Sequence, residues 1–318
     1  MIKIIKVENK DQEKEFVMFP FSLYKGCDYW VPPIISEELE SMDKEKNPVF
    51  ENAEAEFYIA KKDGVTVGRI AAMVNWVEIE EQKKNKLRFG WYDTIDDLEV
   101  SKKLLESVIE FGKKRKLEFV DGPVGFSNMD KAGLLIEGYE ELNTMITWYH
   151  YPYQKEHLKK LGFSKLAEWV EYKIKIFSAE DAPEKVKKFS KIIQQRYELK
   201  VLNFKSRKEI IPYVDKMFEL LNVTYSNLQT YVTIKQYQID FYKEKFIKYI
   251  HPDFIKCCLD KDDNLIAFLI TMPSFSRALK KINGKMGLMG YLRLFKAQHF
   301  NDRVSLYLIG VDPKYQNK

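Results

Sequence analysis

The chain has 318 residues, 45% hydrophobic and 31% charged, and its 52 basic and 47 acidic side chains give a formal charge of +5. That length exceeds what one small core needs, so two domains are expected, and the composition excludes a disordered chain. The charge excess is too small and too dispersed to point to nucleic acid.

Ile2 to Val7 alternates like a first strand, and residues 10–44 hold a helical segment and an odd run from Tyr24 to Pro33. A hairpin follows: Glu56 to Lys61, a turn at Lys62-Asp63-Gly64, then Val65 to Asn75. Leu87 to Thr94 is the next strand. Glu99 to Lys116 is an amphipathic helix in which Val100, Leu104, Leu105, Val108, Ile109 and Phe111 approximate the 3.6-residue period. Leu117 to Val120 reads as a short strand, Pro152 to Leu161 as a short helix, and Glu168 to Phe177 as a final alternating strand. The polar, proline-containing segment Ser178 to Pro183 is the boundary candidate. Helices over 206–222 and 233–249 then precede a second hairpin, Phe254 to Leu259 and Leu265 to Met272, turned at Asp260 to Asn264. Val304 to Val311 is the last strand. A pattern repeated at this long period implies duplicated domains.

Three cysteines, Cys27, Cys257 and Cys258, make no disulfide framework and read as a reduced, cytoplasmic protein. On a strand, Cys257 and Cys258 face opposite sides, and the four histidines show no zinc spacing, so no metal is expected. The N-terminus lacks a signal-peptide pattern, and no stretch reaches the ~18 apolar residues of a membrane span. Contact with the inner membrane is at most peripheral.

The chain's last residues are Val311-Asp312-Pro313-Lys314-Tyr315-Gln316-Asn317-Lys318. With the element order, they resemble the GNAT (N-acetyltransferase-like) superfamily, whose central strand runs into its main helix through Val-x-Pro-x-Tyr/Phe-Gln/Arg followed by two glycines. The two glycines are absent here, and a domain cut at this strand is expected to be truncated. The whole chain is also similar to uncharacterised bacterial tandem-GNAT proteins, through Asp28 to Pro33, Gly68 to Asn75, and Gly122-Pro123 leading to Gly133-Leu134-Leu135. The resemblance implies an α+β fold with mixed sheets and two tandem GNAT-like domains. Their expected bounds are a degenerate domain over 1–177, a connecting segment over 178–198 and a second domain over 199–318.

The resemblance also implies acetyl-CoA or a longer acyl-CoA as acyl donor. Ile309, Gly310 and Val311 would offer strand backbone to the pantetheine and the thioester oxygen. Tyr315, Gln316, Asn317 and Lys318 would begin the diphosphate loop. Physically, a diphosphate wants converging N–H donors at a helix N-terminus, and an N–H beside the thioester can act as oxyanion donor. The first domain departs from this pattern. Asp96, Glu99 and Ser101 stand at the positions of the signature's Gln/Arg and glycines, and Leu158 stands where many relatives carry a tyrosine that protonates the leaving thiolate. Three carboxylates, with Asp97, would repel a diphosphate, although a helix start favours carboxylates on its own account.

Tyr225, Asn227 and Tyr231, between two expected helices, are candidates to orient an amine. Residues 274–300 combine six basic side chains with apolar ones, Met289 and Leu292 among them. Such a stretch fits a surface helix packed on its own domain, the lining of an acyl pocket, or a membrane-interface helix. His251 reads as a turn residue and the aromatic run Trp148 to Tyr153 as a domain interface. No Ser-His-Asp order, phosphate loop or dinucleotide fingerprint is visible. The expected function is acyl-CoA-dependent N-acyl transfer to a primary amine, small-molecule or lipidic, by direct attack on the thioester. No general base or acid is assignable. The alternatives are a non-catalytic binding module of the same fold and a peripheral membrane adaptor.

Overall fold

The computed structural model describes residues 1–127, 129–176, 178, 180–246 and 251–316. It divides into two compact units, Met1–Glu168 with Ser274–Phe300, and Trp169–Pro273 with Asn301–Lys318.

The first unit opens with β1 (Ile2–Lys6), α1 (Lys10–Leu23) and α2 (Ile35–Met42). The hairpin β2 (Ala53–Lys62) and β3 (Val65–Asn75) follows, then α3 (Trp76–Glu80) and β4 (Lys86–Thr94). α4 (Leu98–Lys114), β5 (Phe119–Asp121) and α5 (Pro152–Lys160) complete this part. The five strands lie in the order β1-β2-β3-β4-β5, antiparallel except for the parallel β4–β5 pair. The expected two-residue turn forms, with Asp63 at φ 52° and Gly64 at φ 84°, the left-handed pair whose twist suits a tight hairpin.

The apolar stripe of α4 explains its packing. Val100, Leu104, Leu105, Val108 and Phe111 cover one face of the sheet, against Ile70, Ala72, Val74, Leu87 and Phe89. Phe16 and Val17 of α1 cover the other face, against Ile59, Ala71 and Met73. Each large apolar side chain buried this way contributes about 1.5–3 kcal/mol, well above what helix propensity supplies. β3 is thus buried on both faces, which is why its sequence is a nearly continuous apolar run.

One expectation fails at the end of this unit. The described residues of the run Glu168 to Phe177 form no strand, and Val170, Tyr172, Ile174 and Ile176 are exposed; Phe177 lies outside the described residues. Alternation alone does not make a strand, which needs a partner edge, and the described residues offer this run none.

The second unit contains α6 (Glu184–Arg196), β6 (Lys200–Asn203), α7 (Arg207–Tyr225) and α8 (Gln236–Phe246). β7 (Ile255–Leu259), β8 (Leu265–Pro273) and β9 (Val304–Val311) finish its antiparallel sheet, ordered β6-β7-β8-β9. The expected connecting segment 178–198 therefore holds a helix, α6, with no buried residue. The expected helix over 233–249 is described only to 246. The sheet repeats β1 to β4 down to its irregularities. A register shift lies near the turn of each hairpin, and another lies between the second hairpin strand and the next one. Cys257 is buried and Cys258 half-buried on alternating sides of β7.

Residues 274–300 form α9 (Ser276–Ile282) and α10 (Leu288–His299) and pack on the first unit, although β8 and β9 of the second unit flank them in sequence. Leu279, Phe275, Met286 and Leu294 join Val31, Ile34 and Leu142 in one apolar cluster. The Gly284 carbonyl accepts the Ile35 N–H at 3.0 Å, and Lys280 Nζ reaches the Cys27 carbonyl at 3.2 Å and the Asp28 carboxylate at 3.3 Å. The segment was expected within the second domain; its apolar side finds a better seat on the Val31–Ile34 stretch.

Candidate functional site

In the second unit the end of β9 is built as an edge. β9 pairs with β8 in the register Leu269↔Ile309, Phe268↔Gly310 and Ala267↔Val311, and no described strand lies on its other side. Gly310 lies against the Phe268 ring, where an added Cβ would come within 2.5 Å of Cε1. The strand leaves the sheet through the Asp312 N–H, bonded to the Ile266 carbonyl at 2.8 Å. Asp312 then caps the turn Pro313–Tyr315 by accepting the Lys314 N–H at 2.8 Å. Gln316 Nε2 folds back onto the Val311 carbonyl at 2.9 Å, and Tyr315 hydrogen-bonds to Asp260 on the β7–β8 turn. Asn317 and Lys318 lie outside the described residues.

Tyr225, the last residue of α7, donates its hydroxyl to the Ile309 carbonyl at 3.1 Å. Burial pushes its phenol above the ordinary range. The Tyr231 ring sits 6.2 Å from that of Tyr225, and its hydroxyl donates to Asn222 Oδ1. Asn222 in turn ties the next loop, accepting the Ile234 N–H at 3.0 Å and donating to the Ile234 carbonyl at 3.1 Å. The fold thus brings Tyr225, Tyr231, Ile309, Gly310 and Val311 to one end of β9. Asn227 is exposed and does not join them. Met289 and Leu292 lie on α10 of the first unit, both exposed. His251 sits beside Asp253 at 3.5 Å.

The matching corner of the first unit is closed by side chains. Tyr153 donates to the Thr94 carbonyl at 2.6 Å and Gln154 to the Tyr92 carbonyl at 3.0 Å, so α5 takes backbone acceptors at the end of β4. The start of α4 is capped by Asp97, which accepts the Glu99 N–H at 3.0 Å and pairs with Lys62 at 3.0 Å. Those bonds, Lys62 first, hold the Asp97 carboxyl below its usual range. Glu99 faces Lys103 at 3.6 Å, and Leu158 is part of the main core. The acidic residues here serve a helix start, as the dipole favours.

Sequence reasoning missed one constellation at this corner. Tyr92 donates to Ser101 Oγ at 2.8 Å, Ser101 Oγ lies 2.8 Å from His157 Nδ1, and His157 Nε2 lies 3.2 Å from Asp96 Oδ1. With the proton on Nε2, every donor in this chain has an acceptor. Ser101 is fully buried, so this Ser-His-Asp set anchors α4 and α5 and presents no nucleophile to a substrate. No spacing signal could have revealed it, since α5 meets α4 only through the fold.

The rest of the first unit's interior is strongly polar. Arg69 pairs with Asp93 at 2.8 Å, and Tyr24 donates to Asp93 at 2.6 Å. Glu78 receives Arg88 through two bonds of 2.7 and 2.8 Å and Lys86 at 3.1 Å, and Lys86 also meets Asp121 at 2.7 Å. The aromatic run expected at an interface packs inside this unit instead, Tyr149 and Tyr151 against Tyr24, and Trp148 against Trp91. A cavity among Tyr24, Trp30, Arg69, Asp93, Lys131 and Trp148 measures about 20 Å³, room for about one water. It is far too small for an acyl donor.

No family model matches the chain. In one solved structure, a GCN5-related glucosamine N-acetyltransferase region lies within a fungal multi-domain β-N-acetylglucosaminidase. It aligns with 100% of this chain and 32% of that one, at a TM-score of 0.50 and 9% identity. The chain has a GNAT-like fold. At that identity the likeness speaks for fold alone. In sequence, this GNAT-like chain is 26% identical over 290 residues to protein YghO of Escherichia coli (strain K12), spanning 90% of this chain and 72% of that protein. It is 21% identical over 324 aligned positions to a bacterial ceramide synthase of Caulobacter vibrioides, spanning 99% and 82%. Among the described residues, no group of three His, Cys, Asp or Glu is placed to hold a metal. No described helix is long and apolar enough to cross a membrane.

Proposed function

We propose that the chain is an acyl-CoA-dependent N-acyltransferase whose acyl donor binds in the second unit and whose acceptor is a long-chain primary amine. The observation that carries this reading is the end of β9, an edge with no described strand beside it, whose Ile309 and Val311 carbonyls accept only side chains, leading into a capped turn. An extended, amide-bearing pantetheine pairs with strand backbone as a peptide does in β-augmentation. Ile309, Gly310 and Val311 supply that backbone, and Gln316 opens the loop toward the diphosphate. When bound, acyl-CoA supplies the activated thioester that an unprotonated amine attacks directly. Tyr225 orients the amine, its hydroxyl being already at the Ile309 carbonyl. The likeness to a ceramide synthase supports a lipidic acceptor, because making a ceramide joins an acyl group to a long-chain amine. The first unit takes no donor, since the Asp97 and Glu99 carboxylates hold the start of α4, where a diphosphate would bind.

The test is calorimetry of the full chain with CoA and acyl-CoAs of increasing length, together with thiol release on adding a long-chain amine. Saturable binding and amine-dependent thiol release are expected. Absence of both across all chain lengths would overturn the enzyme reading in favour of a binding module.

A further inference from the structure

Residues 274–300 carry six lysines and arginines and no aspartate or glutamate. Those six charges exceed the +5 of the whole chain, so the remainder is slightly acidic. Lys281, Lys285, Arg293 and Lys296 are exposed. Within this basic segment, α10 is apolar on two sides. Leu294 and the buried Gly290 face the first unit, while Leu288, Tyr291, Leu292 and Phe295 are 78, 61, 53 and 59% exposed. Their i, i+3, i+4, i+7 spacing makes one continuous outward stripe. A helix inside a water-soluble surface normally keeps that face polar.

We propose that the outward face of α10 docks on an anionic lipid bilayer, with the helix lying in the interface plane. The helix has 12 residues, too few to cross the ~30 Å hydrocarbon core, so it lies on the bilayer and does not span it. Leu288, Leu292 and Phe295 enter the acyl boundary, Tyr291 sits at the headgroup level, and Lys285 and Lys296 meet lipid phosphates. Charge decides against a second copy of the chain as the occupant. A two-fold contact through this face would crowd Lys285 and Lys296 of both copies together with no carboxylate from the segment between them.

Co-sedimentation of the full chain with large vesicles tests this, comparing phosphatidylcholine alone with equal parts phosphatidylcholine and phosphatidylglycerol. Binding to the anionic vesicles is expected to exceed that to neutral ones at least about tenfold and to fall with added salt. Leu292→Asp and Phe295→Asp each lower it by about tenfold or more, and Lys285→Gln or Lys296→Gln by about fivefold. Thermal melting verifies that these surface variants stay folded, and the two glutamine variants stand if an aspartate variant does not. Equal binding to both vesicles, or binding unmoved by all four substitutions, overturns the proposal. So does a dimer that Leu292→Asp dissolves. The assay needs no turnover, so its outcome is separate from that of the acyl-transfer reading.

Discussion

Ser101 on α4 and His157 on α5 stand 56 positions apart and meet Oγ to Nδ1 at 2.8 Å in the buried corner of the first unit. Ser101→Ala leaves His157 Nδ1 without its donor and the Tyr92 phenol with Thr94 alone, a cost of about 1–3 kcal/mol. Urea unfolding should show that loss while acyl-CoA binding is unchanged. A variant of full stability that no longer transfers acyl groups would instead give Ser101 a chemical role.

Glu78 is fully buried and neutralises both Arg88 and Lys86. Glu78→Gln takes the carboxylate from buried Arg88 and leaves Lys86 with Asp121 alone, and is expected to cost about 3–5 kcal/mol, read as a lowered urea midpoint with an unchanged m-value. A shift no larger than that of a surface carboxylate would show that the network is not structural.

His150 is buried, and burial holds its imidazole down at about 4. Its Nδ1 accepts the Leu135 N–H at 3.2 Å, a bond only the neutral ring can make. The folded value is depressed, so stability is complete above the ordinary histidine range near 6.5 and is lost as pH falls from there to about 4. The loss is on the order of 3 kcal/mol. His150→Gln should flatten the fall of Tm between neutral and acid pH. An unchanged slope would assign it to other groups.

Gly284 holds φ at 76°, and a Cβ there would come within 2.5 Å of Phe21. Gly284→Ala strains the backbone and pushes α9 from its seat, costing about 1–3 kcal/mol. Limited proteolysis should find new cleavage within residues 274–300. Unchanged protection would mean that the α9 seat tolerates the methyl group.

Tyr225→Phe removes the hydroxyl that reaches Ile309. Stability should drop by only about 0.5–1.5 kcal/mol. Turnover with a long-chain amine should fall about tenfold to a hundredfold, because the acceptor loses its orientation. Equal turnover would remove Tyr225 from the acceptor site.

Much of the fold was legible because its signals are local. The Asp63-Gly64 turn, the α4 stripe and the strand from Val304 to Val311 each follow from neighbouring residues, and the structure places all three where periodicity and turn chemistry put them. The run Glu168 to Phe177 alternates as clearly, yet forms no strand among its described residues, since pairing depends on a distant edge. The candidate site was legible to the same extent. Ile309 to Val311 were marked by their motif, whereas the roles of Tyr153, Gln154 and His157 had no local trace.

By itself, the sequence determined the duplicated hairpins, the turn after Val311 and the basic, carboxylate-free character of residues 274–300, since composition and short-range pattern suffice for these. The tertiary structure alone decided that α5 fills the corner at β4, that Tyr225 reaches β9, and that α9 and α10 belong with the first unit. Each of these joins residues far apart in the chain, and such contacts are set by which apolar faces and backbone edges remain uncovered once the sheets have formed.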